Sequence, residues 1–267
     1  MLGLAIIRAE QLGTKLIPVA VWDGTPGDGG GGTASNVDLW KKLGYRVELI
    51  DLNRLLQSEC PELTTKGATA ALPPKPEGPE SSTEAPPKVV SIMFADAKGF
   101  SKLTEDQTPL FVRHFLEMVG EMAGTFRQSG HQPPIMMNTW GDGLFFIFEN
   151  VTDAAEFGLG LCDRVRSTDW GKLGLPDLGV RIGLHAGPAY PFTDPVTQRP
   201  NFFGTHISQA ARIEPITPPN QVYASQPFAA LAAVERKKAF NCEYVGQTPL
   251  AKGYGTFPTY VVRRRNT

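Results

Sequence analysis

Cysteine is scarce. Cys60, Cys162 and Cys242 are the only three in 267 residues, too few and too scattered for a disulfide framework or a thiolate metal site, which points to a reducing, cytoplasmic setting. Long apolar runs are missing too: no stretch reaches the ~18 residues of a membrane span. The opening MLGLAIIRAEQLGTK has neither a basic leader nor a small-residue cleavage site, so a soluble chain with no membrane span is expected. Charge of one sign is not in excess either, with 26 Lys and Arg against 27 Asp and Glu and a net charge of -1. The strong positive field that nucleic acids or anionic membrane surfaces select is therefore absent, leaving a small molecule or a protein as partner. No internal repeat is visible.

Hydrophobic residues make up 41% of the chain, enough for a sizeable core. The length suits one complete domain plus a small or partial second one. Residues 64–88, TTKGATAALPPKPEGPESSTEAPPK, are rich in proline and poor in large apolar side chains, and read as a linker. Residues 1–63 before it alternate as helix (3–13), strand (15–22), glycine-rich loop (24–35), helix (36–44) and strand (45–52), a small or truncated α/β (βαβ-like) segment. The loop TPGDGGGGTASN precedes a helix, where phosphates can rest on backbone amides. It lacks the Walker lysine and the spaced dinucleotide fingerprint, so a plain connection is the stronger reading.

Residues 89–265 open with a buried strand, VVSIMFAD (89–96), followed by a helix over 108–130 whose Phe111, Phe115, Met118, Val119, Met122 and Phe126 recur at helical spacing. Two strands joined by a tight turn at Gly141-Asp142-Gly143 come next (135–149), then a helix (152–167). A strand (179–187), a helix (204–214), a strand (221–225), a helix (227–239) and a closing hairpin (242–263) complete an α+β unit, its sheet covered by helices on one face. The Pro-bearing stretch 190–201 reads as a hairpin arm or a surface loop.

Asp96 ends the first strand and Asp142 sits at the hairpin tip. In a β-α-β-β-α unit those strands are neighbours, so both carboxylates can converge at one edge of the sheet. Hard divalent cations take one or two carboxylates plus substrate phosphates, the arrangement of a two-metal phosphoryl transfer. The turn from Ala97 through Gly99 and Phe100 to Ser101 offers backbone amides to phosphates. Taken alone, each aspartate is equally a helix cap or a turn former.

The segments FADAKGFSKLTE (94–105), NTWGDGLFFIFE (138–149), RIGLHAGPA (181–189), FFGTHISQAARIE (202–214) and LAKGYGTFPTYVV (250–262) resemble, in order and spacing, the successive motifs of class III adenylate/guanylate cyclases over about residues 88–265. The resemblance implies a ferredoxin-like β-α-β-β-α-β fold and a head-to-tail homodimer whose active sites span the interface. It also implies two Mg²⁺ or Mn²⁺ ions per site, held by Asp96 and Asp142 with Ala97 beside them, and attack of the ribose 3′-hydroxyl on the α-phosphate of a nucleoside triphosphate, ATP being favoured. Arg212 matches the transition-state arginine contributed by the partner subunit, and Lys252 a lysine that meets the triphosphate tail.

Three positions depart from the family. Asn138 stands where adenylate cyclases usually have a base-reading lysine, Asn201 where they have an aspartate or threonine, and Ser208 where they have the ribose-orienting asparagine. Two carboxamides can donate to and accept from several bases, so base identity stays open. Ser208 is shorter than asparagine, and a lower rate is expected. The alternative is a catalytically silent cyclase-like domain used for dimerisation or nucleotide sensing. A template-directed polymerase or cyclic-dinucleotide synthase fits less well, since the turn reads WGDGL and no basic surface is present.

Overall fold

The computed structural model describes residues 1–26, 32–59, 85–235 and 239–265. The chain divides into two compact units, Ala5–Ser81 and Met1–Leu4 with Ser82–Thr267. It opens with helix α1 (Leu2–Gln11). In the smaller unit β1 (Val19–Trp22) pairs in parallel with β2 (Glu48–Asp51), and α2 (Thr33–Lys42) makes the crossover. Ala20 and Val37 are buried. The α/β alternation matches the expectation, but both strands are shorter than expected and a third helix, α3 (Leu52–Glu59), follows β2. The central residues of the glycine-rich loop, 27–31, lie outside the described residues, as does the proline-rich stretch up to residue 84.

The larger unit is built on a sheet with the strand order β4-β5-β3-β6-β8-β10-β9, β7 pairing with the extension of β6. Its strands are β3 (Lys88–Lys98), β4 (Met136–Trp140), β5 (Gly143–Phe148), β6 (Gly179–Thr193), β7 (Pro200–Phe203), β8 (Gln221–Ser225), β9 (Phe240–Leu250) and β10 (Gly255–Arg264). Every pairing is antiparallel except β6 with β8. The first four strands stand in the order β4-β5-β3-β6, as in a ferredoxin-like β-α-β-β-α-β unit.

β3 is buried on both sides from Val90 to Met93, which explains why it reads as a continuous apolar run instead of an alternating one. One face packs on α6 (Val151–Ser167), where Phe157 meets Phe146 and Phe148. Asn150 caps that helix, its side chain accepting from Asp153 N at 2.8 Å. The opposite face carries the short helix α7 (Thr205–Ala210), whose Ala210 joins Val90, Ile92, Met136, Phe145, Ile147 and Ala189 in one buried cluster. Helices therefore lie on both faces, and the expected one-sided cover is corrected.

The helix expected over 108–130 is a helical run in four parts: α4 (Thr108–Phe111), a π-turn (Val112–Leu116), α5 (Glu117–Thr125) and a 3₁₀ turn (Phe126–Ser129). The Pro-bearing stretch 190–201 is a hairpin arm: β6 runs on to Thr193 and β7 returns, with Tyr190 opposite Phe203 and Thr193 opposite Pro200. α8 (Gln226–Val234) is capped by Ser225, whose hydroxyl accepts from Phe228 N. Among the described residues no helix is long and apolar enough to cross a membrane.

Candidate functional site

The pairing of β3 with β5 sets Asp96 opposite Gly143, the residue after Asp142. Ala97 N donates to the Asp142 carbonyl at 3.2 Å, so the strand end and the hairpin tip are stitched together. Gly141 takes φ +65° to make this two-residue turn. Burial raises the Asp142 carboxyl above the usual range, and the charge of Asp96 and a hydrogen bond with it raise it further.

Arg181 lies opposite Asp96 on β6. Its Nη2 contacts Asp96 Oδ2 at 2.5 Å, and its Nε lies 2.9 Å from Glu214 Oε1. The second contact is an ion pair without hydrogen-bond geometry: both atoms are buried and neither has a hydrogen-bond partner among the described residues. Glu214, in the 3₁₀ turn Glu214–Ile216, is pushed up to about 7 by burial, against the pull of Arg181 and with the help of Asp96 and Asp142. The result is a row of charges, Asp142, Asp96, Arg181 and Glu214, with one cation among three acids.

Two adjacent carboxyls are a donor set of hard oxygens suited to Mg²⁺ or Mn²⁺. Among the described residues no cluster of three or more His, Cys, Asp or Glu could hold a metal ion. Asp96 and Asp142 would therefore bind cations only together with oxygens from a ligand or water.

Beyond Asp96 the chain turns at Gly99 (φ +106°) into a single 3₁₀ turn, Phe100–Lys102. The conformation at Gly99 is one that L side chains rarely adopt. Phe100 packs edge-on against Phe111 at 4.8 Å, which fixes the turn to α4. The Ala97 amide is already committed to Asp142, so of the expected phosphate-facing amides that one is unavailable.

Ser208 is exposed on α7. The helix expected over 204–214 ends at Ala210; Arg212 lies beyond it, in a tightened turn where its amide reaches Gln209 O at 3.0 Å. Arg212 Nε is buried with no hydrogen-bond partner among the described residues. Its carbonyl accepts from Ala251 N at 3.3 Å, which brings it to the β9–β10 tip, where Lys252 sits at φ 60° and ψ 33°. Arg212 and Lys252 are thus brought together, as are Asp96 and Asp142.

Asn138 is exposed on β4. On the adjoining strands Phe94 stacks on Phe145 at 4.7 Å and lies 6.2 Å from Trp140, which is 52% exposed. Asn201 is turned into its own arm: its Oδ1 accepts from Phe202 N at 2.8 Å and its Nδ2 donates to Asp194 at 3.4 Å. Sequence reasoning assigned no role to Arg181 or Glu214. The signal was present, since they begin and end the segments RIGLHAGPA and FFGTHISQAARIE, but only the packing of the 3₁₀ turn on β6 shows that the two meet.

The family model described as the adenylate and guanylate cyclase catalytic domain matches residues 83–264. An adenylate cyclase of Neurospora crassa is 27% identical over 178 residues, covering 57% of this chain and 8% of that protein. One of Podospora anserina is 24% identical over 168 residues, with the same 57% and 8% coverage. The chain thus spans less than a tenth of these curated relatives. Among solved structures, adenylyl cyclase CyaB from P. aeruginosa superposes with a TM-score of 0.57 at 17% identity, covering 67% of this chain and 96% of that one. The guanylate cyclase domain of RhGC from Catenaria anguillulae in complex with GTP gives 0.56 at 17%, covering 67% and 98%. The catalytic core of a rhodopsin-guanylyl cyclase with converted specificity in complex with ATPαS gives 0.56 at 17%, covering 69% and 100%. At these identities the likeness is one of fold.

Proposed function

The chain belongs to the adenylate and guanylate cyclase catalytic-domain family, and from that premise we propose that it closes a nucleoside triphosphate into a 3′,5′-cyclic nucleotide at a site shared by two copies. The O3′–Pα bond forms, the bond from Pα to the bridging oxygen of the β-phosphate breaks, pyrophosphate leaves and the hydroxyl proton passes to solvent. Asp96 and Asp142 would hold Mg²⁺ or Mn²⁺, which when bound lowers the pKa of the attacking hydroxyl and neutralises phosphate charge. The observation that carries this reading is the meeting of those two carboxyls at the stitched end of β3 and the β4–β5 tip.

Arg181 offsets the charge of Asp96. Arg212 and Lys252 supply donors for the charge that grows on the phosphoryl oxygens. That these two come from the second copy is supported by the charges acting on Asp142, which are those of Asp96 and Arg181 and include neither Arg212 nor Lys252. Gly99 and Phe100 shape the phosphate turn, Ser208 faces the ribose and Asn138 the base. Asn201, its amide held within the arm, supports the arm more directly than the base. ATP is the favoured substrate; of the similar structures one holds ATPαS and another GTP.

The test is incubation with ATP, GTP, CTP and UTP in turn, with Mg²⁺ or Mn²⁺, and mass spectrometry of the products. A cyclic nucleotide with pyrophosphate is expected, fastest from ATP. No product from any triphosphate by an intact dimer overturns the reading, and tight triphosphate binding without turnover assigns the domain to sensing instead.

A further inference from the structure

α7 has six residues, and its N-cap Gly204 makes no side-chain capping bond. A helix this short has little stability of its own, and the catalytic reading asks it to carry Ser208 and lead into Arg212. Something outside the helix must hold it. The holding groups lie on one face of β6, where Arg181, Gly183, His185 and Gly187 alternate with buried core residues. A β-carbon at Gly183 would lie 2.5 Å from Glu214 N, and one at Gly187 would lie 2.3 Å from His206 Nδ1. The two glycines let residues 204–216 lie directly on the strand, and the two polar residues that alternate with them grip it. Arg181 takes Glu214 at one end and His185 takes His206 at the other.

The second grip continues into the fold. His185 is fully buried; its Nε2 lies 2.8 Å from His206 Nδ1 and its Nδ1 lies 2.7 Å from Ser225 Oγ. Ser225 Oγ already accepts from Phe228 N at the start of α8. The hydroxyl is buried and its O–H needs an acceptor, so we assign its proton to His185 Nδ1, which makes that nitrogen the acceptor and Nε2 the N–H donor to His206. Burial lowers the His185 pKa to about 3, so the ring stays neutral and keeps one donor and one acceptor. Each link has its partner assigned, and the chain runs in one direction from the α8 cap to α7.

We propose that Ser225, His185 and His206 form a positioning chain that sets the register of residues 204–216 on β6, and through it the placement of Ser208 and Arg212. The histidines touch no substrate; they act through the helix. The inference rests on the cyclase reading, and its test has one arm that does not. In that arm, ¹⁵N NMR of the full chain should show a neutral His185 carrying its proton on Nε2, with a slowly exchanging ring N–H resonance that His206→Leu abolishes. A His185 protonated on Nδ1, or a ring N–H unchanged in His206→Leu, overturns the chain whether or not the protein is a cyclase. In the kinetic arm, His206→Leu should lower kcat by about 10²-fold, as for a displaced reacting group, with KM little changed. His206→Asn places an amide oxygen at the Nδ1 acceptor position and should recover most of the loss. A folded His206→Leu enzyme with wild-type kcat, or a His206→Asn enzyme as slow as His206→Leu, overturns the positioning role. A wild type that makes no product with its ring proton in place overturns the cyclase reading alone.

Discussion

At Asp142 the folded chain keeps a carboxyl whose ionisation it resists, because burial and the neighbouring Asp96 both disfavour the charge. Such a residue is retained at a cost to stability, as functional groups often are. Asp142→Asn should therefore raise the melting temperature of the metal-free protein while abolishing turnover and any stabilisation by Mg²⁺ or Mn²⁺. Thermal unfolding with and without the cation checks both outcomes. His185 works in the other direction. Its folded pKa of about 3 lies below the ordinary 6.5, so the unfolded chain binds the extra proton. The stability it contributes is complete above that ordinary value and is lost as pH falls toward about 3. By about pH 5 the loss should reach about 2 kcal/mol, at 1.36 kcal/mol per unit. His185→Gln keeps a donor toward His206 and cannot titrate, so urea midpoints in the variant should flatten over that window. Glu214 shifts with the opposite sign, but it is common to both proteins and cancels in the comparison.

Among the elements, β6 carries the most constraints, since one strand supplies the Arg181 clamp, the His185 link, two glycine gaps and the root of the arm. Gly187→Ala puts a methyl within 2.3 Å of His206 Nδ1 and should destabilise the protein by about 1–3 kcal/mol, as overpacking does. Denaturant unfolding measures the loss, and a parallel fall in kcat is expected because α7 is lifted. Much of this architecture was legible beforehand. The run VVSIMFAD and the GDG turn are strand and hairpin signals in their own right, and their adjacency follows from the β-α-β-β order. The helical stripe Phe111, Phe115, Met118, Val119, Met122 and Phe126 gave the long helix but not its π-turn, because spacings of three and four residues are those of an uninterrupted α-helix. Periodicity did not show α7 to be short, since Arg212 continues the four-residue spacing while its backbone tightens to reach Gln209. The arm was ambiguous because PFTDPVTQRP carries turn residues that fit a loop or a hairpin; Asp194 decides it, its side chain accepting from Val196 N and Thr197 N. Arg181 and Glu214 were hidden for a different reason. Their meeting depends on Gly183, two residues along the same strand, which leaves room for the turn that carries Glu214, and no linear spacing encodes that.

For the molecule as a whole, the cyclase reading requires that neither copy hold a complete site. Asp96→Ala and Arg212→Ala should each be inactive alone, and mixing the two should restore activity, since one of the two sites in a heterodimer then carries both wild-type residues. A coupled cyclase assay on the mixture checks this, and a mixture as inactive as its components would exclude a shared site. The family match over residues 83–264 falls on the larger unit. Within it, the bond from Ala251 N to the Arg212 carbonyl joins two segments nearly forty residues apart at the level of the peptide backbone. The guanidinium and the Lys252 ammonium ride on that one junction. An exchange at either position shifts the footing of the other, and the energetic effects of neighbours that share a support do not sum.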